Sequence, residues 1–235
     1  MTTPADGLAP LIVLEGIDGS GKGTQALQLQ RSLNSAGIRA SLMSFPRYQS
    51  TFFGARIGEF LNGAFGTLDQ LHPFLVSLLY AGDRYESRDL LQAERRQADL
   101  VILDRYVSSN VAHQSAKVTP EKRPQLIEWI QHIEFNLFGL PAPDQIFLLD
   151  IPVEASQELI RRKNQRSYTE LQADLQEADV SYMANVRNVY LDLAAGDSRW
   201  QTVSVMDGDG SFRPVEEIGE EIFQSVRQRF SQCGQ

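Results

Sequence analysis

A chain of 235 residues, 42% hydrophobic and 22% charged, has room for one α/β domain with a substantial core and is not of fibrous or disordered composition. Its net charge of −8 argues against a broad basic face for nucleic acid, and its single cysteine, Cys233, excludes an internal disulfide. No apolar run approaches membrane-spanning length, and Met1 to Pro10 lack the basic start and apolar core of a secretory signal, so a cytoplasmic protein is expected.

In chain order, short apolar runs alternate with amphipathic segments. Leu11 to Glu15 is the first run; it breaks at Gly16, turns through Ile17-Asp18-Gly19-Ser20-Gly21, and reaches Lys22 as a helical pattern begins. This is the P-loop arrangement G-x-x-x-x-G-K. Glycines permit positive φ, backbone N–H groups and a helix N-terminus form an anion site, and the lysine adds a full charge. Gly23 stands where Ser or Thr is usual and Thr24 follows, so the hydroxyl that would ligate Mg2+ is displaced by one residue. Leu27, Leu29 and Leu33 carry the helix to Gly37.

Arg39 to Phe45 reads as a second strand, ended by Phe45-Pro46-Arg47-Tyr48, and Thr51 to Asn62 as a short helix burying Ile57, Phe60 and Leu61. From Asp69 a longer helix is expected to turn Leu71, Phe74, Leu75, Leu78, Gly82 and Tyr85 inward. Ala98 to Leu103 is a near-continuous apolar strand running into Asp104-Arg105-Tyr106. Thr119-Pro120 opens another helix and Phe138-Gly139 closes it. Asp144 to Ile151 is a further strand, followed by a helix through Leu159 and Ile160, a basic cluster from Arg161 to Arg166, and a polar stretch to Glu177. Tyr182, Val186, Val189, Tyr190 and Leu193 mark a helix, Thr202 to Met206 a last strand, and Val215, Ile218, Ile222, Val226 and Phe230 a final helix. The alternation implies a five-stranded, doubly wound parallel sheet flanked by helices, with residues 1–235 forming one domain.

Ligands bind such sheets at the carboxyl ends of the strands, where Asp18, Arg47 and Asp104-Arg105 all fall. The Arg105 guanidinium suits bidentate contact with a phosphate, although an Asp-Arg pair can equally be structural. Arg47 sits in a turn stiffened by Phe45 and Pro46. At about 100° per residue, Tyr80 lies opposite the long helix's apolar stripe with Arg84 one turn on. That pair would suit a stacked base, whereas periodicity alone favours Tyr80 in a second core layer. Asn110 and His113 follow closely behind Asp104-Arg105-Tyr106; a lone histidine is more often a structural hydrogen-bonder than a catalyst. The basic cluster opens a segment, about 161–177, where a lid could sit, although a charge run is also ordinary at a solvated helix end. No spacing suggests a His/Cys metal cage or a Ser-His-Asp set.

Together these residues resemble the thymidylate kinase family, P-loop enzymes that phosphorylate dTMP to dTDP with ATP. The resemblance spans nearly the whole chain and rests on Glu15 to Lys22, Phe45 to Tyr48, Tyr80 to Arg84, Asp104 to Asn110 and Gly139 to Asp144, in that order. Two departures stand out. Gly23-Thr24 is similar to adenylate kinases, and Tyr80 falls where the family commonly has a thymine-stacking phenylalanine. The resemblance implies a P-loop NTPase fold with ATP held by Gly16, Ile17, Asp18, Gly19, Ser20, Gly21, Lys22, Gly23 and Thr24, and Mg2+ by Asp18 and Thr24. It implies that Arg105 bridges donor and acceptor phosphates, with dTMP seated by Asp18, Phe45, Pro46, Arg47 and Tyr48. Tyr80 would stack on thymine, Arg84, Ser109 and Asn110 would lie near the base edge, and His113 near the deoxyribose. Arg161, Arg162 and Arg166 match the lid and are expected to supply the catalytic charge that the interior of the P-loop lacks. A homodimer is implied as well. The alternatives are another nucleoside monophosphate kinase, suggested by Gly-Lys-Gly-Thr, and an ATP-binding regulatory module that is not a kinase.

Overall fold

The computed structural model describes residues 7–67, 70–162 and 179–231, the side chains of Arg162 and Ser231 excepted. Five strands form one parallel sheet: β1 (Leu11–Glu15), β2 (Ala40–Ser44), β3 (Leu100–Asp104), β4 (Gln145–Asp150) and β5 (Trp200–Ser204), in the order β2-β3-β1-β4-β5. The three inner strands are apolar along nearly their whole length because both faces are covered. Alternate residues of β1 feed two cores. Ile12 and Leu14 join Leu29 and Leu33 of α1 (Lys22–Ser35), Val186 of α8 (Val180–Gly196) and Ile222 of α9 (Val215–Ser231). Leu11 and Val13 join Leu91 of α4 (Arg88–Gln97), Val111 of α5 (Val107–Ser115) and Leu126 of α6 (Arg123–Gln131). The register pairs Leu14 with Asp104, Ser44 with Asp104 and Asp150 with Ser204, so the carboxyl ends of the strands finish side by side and their loops share one edge.

The remaining helices are α2 (Phe52–Leu61), α3 (Pro73–Glu86) and α7 (Val153–Arg162). A 3-10 turn (Pro120–Lys122) precedes α6, and a π-helical turn (His132–Leu137) follows it. Thr51 accepts from Gly54 N at 2.9 Å and caps α2; Asp179 accepts from Tyr182 N at 2.9 Å and caps α8. The N-cap of α1 is Gly21, which has no side chain to spend on the first turn.

Three expectations need correction. The buried residues of α3 are Val76, Ser77, Ala81, Gly82, Asp83 and Arg84, while Leu75 is 64% and Tyr85 45% exposed. Hydrophobicity misleads here because the inward face carries charged and small residues, leaving apolar ones outside. Leu27 is likewise exposed, and Ala26 shares the inner face of α1 with Leu29 and Leu33. The last strand occupies Trp200–Ser204, with Met206 forming only an isolated bridge to Phe212. Helix α4 was not expected; it is amphipathic but short, and it buries only Leu91 and Arg95.

Gly82 is where α2 and α3 meet: a Cβ there would lie 2.6–2.7 Å from the Phe53 ring. Gly82→Ala should therefore lower stability by roughly 1–3 kcal/mol from overpacking, less up to ~1 kcal/mol gained in helix propensity. A urea melt checks this, with the midpoint expected to fall.

Candidate active site

The loop after β1 has the geometry of an anion cradle. Gly16, Gly19 and Gly21 have φ of 144°, 81° and 88°. A Cβ on Gly16 would lie 2.6 Å from Leu149 O, and one on Gly19 2.5 Å from Ser156 O, so neither position admits a larger residue without displacement of backbone. With Gly21 at the helix start, the first N–H groups of α1 have no side-chain cap and face the loop as donors for an anion. Lys22 Nζ is folded onto the same loop, donating to Ile17 O at 2.7 Å and Ser20 Oγ at 3.4 Å.

Arg105 enters from β3 in the left-handed region, φ 67°, an unfavourable conformation for a non-glycine residue. What holds it there is Glu15. Its Oε1 accepts from Tyr106 N at 3.0 Å and Ser109 N at 3.1 Å, and its Oε2 from Ser109 Oγ at 2.6 Å and Tyr190 OH at 2.9 Å. The Arg105 guanidinium then pairs with Asp18 Oδ1 and donates to Gly16 O at 3.3 Å and Ser109 Oγ at 3.0 Å. A cation is thereby fixed against the P-loop.

Beside it lies a cavity of about 460 Å³, open to solvent, lined by residues of the P-loop, the Phe45-Pro46 turn, α2, α3 and α5. Of the expected site residues, Asp18, Phe45, Pro46, Tyr48, Tyr80, Arg84, Arg105, Ser109, Asn110 and His113 line it. Tyr80 is half-buried: it packs on the Ile57, Phe60, Leu61 and Val76 cluster, as in a second core layer, and also lines the cavity. Arg47 does not line the cavity. Its Nη1 donates to Ser87 Oγ at 3.2 Å, and buried Asp83 accepts from its backbone N at 3.0 Å. Arg84 is buried and paired with Glu134 of the π-helical turn, its Nη2 donating to Glu134 Oε1 at 2.7 Å. The Asn110 Oδ1 and Gln114 Nε2 atoms are buried without a hydrogen-bond partner. Two unpaired amide atoms of opposite polarity, on residues that line one cavity, are what a ligand's own donor and acceptor would satisfy.

His113 Nδ1 lies 3.0 Å from Tyr182 OH, which also lies 3.0 Å from His113 O. Burial, then the Arg105 charge, push its pKa down to about 3, so the ring is a neutral hydrogen-bonder at physiological pH. Arg161 is exposed at the end of α7, outside the cavity; the Arg162 side chain, Arg166 and the rest of the expected lid lie outside the described residues.

The family model for thymidylate kinase matches residues 14–212. This chain belongs to the thymidylate kinase family. A thymidylate kinase of Mycobacterium tuberculosis is 34% identical over 195 residues, 82% of this chain and 90% of that one. One of Arabidopsis thaliana is 31% identical over 223 residues, 95% of this chain and 73% of that one. The solved structure of the Candida albicans thymidylate kinase shares the fold, with TM-score 0.70 at 24% identity over 94% of this chain and 92% of that one.

Four residues at or directly behind the site stand outside the expected set. Glu15 stood in the quoted motif without a role, Glu134 and Gln114 carry no local signal, and Asp104 was read only as a neighbour of Arg105. The Asp104 carboxylate in fact occupies the space beside Gly23: a Cβ on Gly23 would lie 3.1 Å from its Oδ2. Thr24, one residue on, is exposed.

Burial, then the Arg105 charge, lower the Lys22 pKa from 10.5 to about 7. In the unfolded chain Lys22 keeps its proton to about 10.5, so from pH 7 to 10.5 the unfolded state binds the extra proton and stability rises with pH. Replacing it with Met should raise the unfolding midpoint at or below pH 7 by several degrees. That gain should shrink toward zero near pH 10, as read by thermal melts across the range; a pH-independent difference would be contrary to this linkage.

Proposed function

We propose that this thymidylate kinase transfers the γ-phosphoryl group of ATP to dTMP, with the donor phosphates on the P-loop and thymidylate in the adjoining cavity. The observation that carries the reading is the unpaired Asn110 Oδ1 in a cavity that Arg84 also lines: an acceptor and a donor of the kind that the N3–H and O4 edge of thymine requires. Tyr80, Tyr48 and Phe45 offer faces for the base, and the neutral His113 lies where the sugar would pass.

Lys22 and the loop amides hold the ATP phosphates. Arg105 spans donor and acceptor, exchanging part of its contact with Asp18 for phosphate oxygens. An acceptor phosphate oxygen attacks the γ-phosphorus, the bond to the β–γ bridging oxygen breaks, and ADP leaves. Such catalysis is mainly alignment and charge stabilisation. The oxygen-rich donor set fits Mg2+, which takes one or two carboxylates plus substrate phosphates; among the described residues no three His, Cys, Asp or Glu form a closed cage. Asp104 and Asp18, with the Thr24 hydroxyl, would hold the ion. When bound it neutralises charge on the phosphates. Arg47, in the turn held by Asp83, exchanges Ser87 for the acceptor phosphate.

Arg161, Arg162 and Arg166 supply the remaining charge as the 161–177 segment covers the nucleotides and excludes water. The protein works in the cytoplasm; no helix among the described residues is long and apolar enough to cross a membrane. It pairs with a second copy through the outward face of α3 and α6, where Leu75 and Trp129 are exposed and Phe74 packs 5.2 Å from Trp129. Leu75→Glu should then yield monomers by sedimentation velocity.

An ADP-release assay over dTMP, dUMP, UMP, AMP and CMP tests the reaction. The expected order is dTMP over dUMP by roughly 10–200-fold, the reach of one methyl group, with AMP poorest. Equal kcat/KM for AMP and dTMP would replace thymidylate by an adenylate acceptor. In the same assay Arg105→Ala should lower kcat by about 10³-fold or more with little change in dTMP affinity. At least one of Arg161→Ala, Arg162→Ala and Arg166→Ala should also lose kcat; three normal variants, and a normal triple variant, would remove the segment from catalysis.

A further inference from the structure

Glu134 touches nothing that reacts, yet it is fully buried behind the base pocket. It is the only buried residue of the π-helical turn His132–Leu137, whose neighbour Leu137 is 62% exposed. Single π turns recur where a helix must re-aim one side chain. Here the turn brings a carboxylate to two pocket residues at once. Glu134 accepts from Arg84 Nε and Nη2, and its Oε1 also accepts from Asn110 Nδ2 at 2.8 Å. The other Asn110 Nδ2 hydrogen goes to Ser77 O at 3.0 Å.

Both neighbours of the Asn110 amide are acceptors only: a main-chain carbonyl and a carboxylate paired with a guanidinium. The amide nitrogen must therefore face them, which leaves Oδ1 buried without a partner on a residue that lines the cavity. Arg84, with Nε and Nη2 committed to Glu134, has its remaining donors to offer on the cavity side. The polarity of the base pocket is thus decided one layer back.

We propose that Glu134 is the positioning residue that sets this polarity, acceptor at Asn110 and donor at Arg84, and so admits a 4-oxo pyrimidine while rejecting a 4-amino one. The inference rests on the reading that this cavity takes the base of the acceptor nucleotide. Thymine presents N3–H and O4, which complement the pair. Cytosine presents a bare N3 and an amino group, setting acceptor against acceptor and donor against donor. A buried site built for one polarity then leaves its polar groups unpaired with the other base.

Glu134→Gln tests it. A carboxamide has one oxygen to accept with, whereas the carboxylate accepts from Arg84 Nε, Arg84 Nη2 and Asn110 Nδ2, so at least one of these donors loses its partner and the fixed orientation of the pair is loosened. The ratio of kcat/KM for dTMP to that for dCMP should fall by roughly tenfold or more, chiefly through a raised dTMP KM and a lowered dCMP KM, with the ATP KM unchanged. Because both substrates are measured on one preparation, the ratio does not depend on the fraction folded. Glu134→Asp, which remains acceptor-only, should keep a preference for dTMP. An unchanged ratio in Glu134→Gln, with wild type strongly preferring dTMP, would overturn the role of Glu134 alone. No preference in wild type would instead overturn the base-pocket reading.

If Glu134→Gln does not fold, the Asn110 side-chain amide can be followed by 15N NMR in wild type. Both of its hydrogens should stay slow to exchange and nearly unshifted when dTMP binds. Hydrogens that shift strongly would mean that the nitrogen, not Oδ1, meets the base, which would overturn the proposal.

Discussion

The carboxylate of Glu15 ties the end of β1 to the start of α5 through three hydrogen bonds, from the Tyr106 and Ser109 backbone amides and the Ser109 hydroxyl, and accepts a fourth from the Tyr190 hydroxyl. Everything on the catalytic edge depends on that tie. It fixes the residues on the far side of Arg105 and so sustains a left-handed backbone in a residue that would otherwise avoid it. It also brings α8 into the network through Tyr190. Burial raises the Glu15 pKa against the opposing pull of its donors, so the group is held by geometry at an electrostatic cost. A buried acid of this kind stabilises one conformation more than it stabilises the fold.

From that anchor the site assembles in two halves. The P-loop and Arg105 make a positively charged edge in a protein with net charge −8. Local concentration of cations, not overall charge, decides what binds. In the second half the Arg84 cation is paired behind the pocket by Glu134, and Asp83 accepts from the backbone N of Arg47 in the adjoining turn. On the proposed reading the first half would handle phosphate, which calls for cations, and the second a neutral base, which calls for hydrogen-bond direction and no uncompensated charge.

Gly23 joins the two halves to the metal question. The usual P-loop hydroxyl is missing, and the Asp104 carboxylate lies where a side chain on that residue would project. The small residue therefore has a steric correlate in the next strand.

Contiguous features were legible from the chain alone. The P-loop, the alternation of strands and helices, and the cluster Asp104-Arg105-Tyr106 are each written within a few residues, because local backbone geometry and burial on two faces impose local patterns. Most of the residues lining the cavity were also named, through their place in motifs at strand ends. What only the tertiary structure decided is who meets whom. Glu134 lies 50 residues from Arg84, and Tyr190 lies 175 from Glu15. No periodicity encodes such pairs. The inward face of α3 was misread for the same reason: Asp83 and Arg84 are buried against partners that no local pattern reveals, and Leu75 reads as core. Charge is a surface signal only while it is unpaired, and pairing across the fold is a property of packing that hydrophobic pattern does not contain.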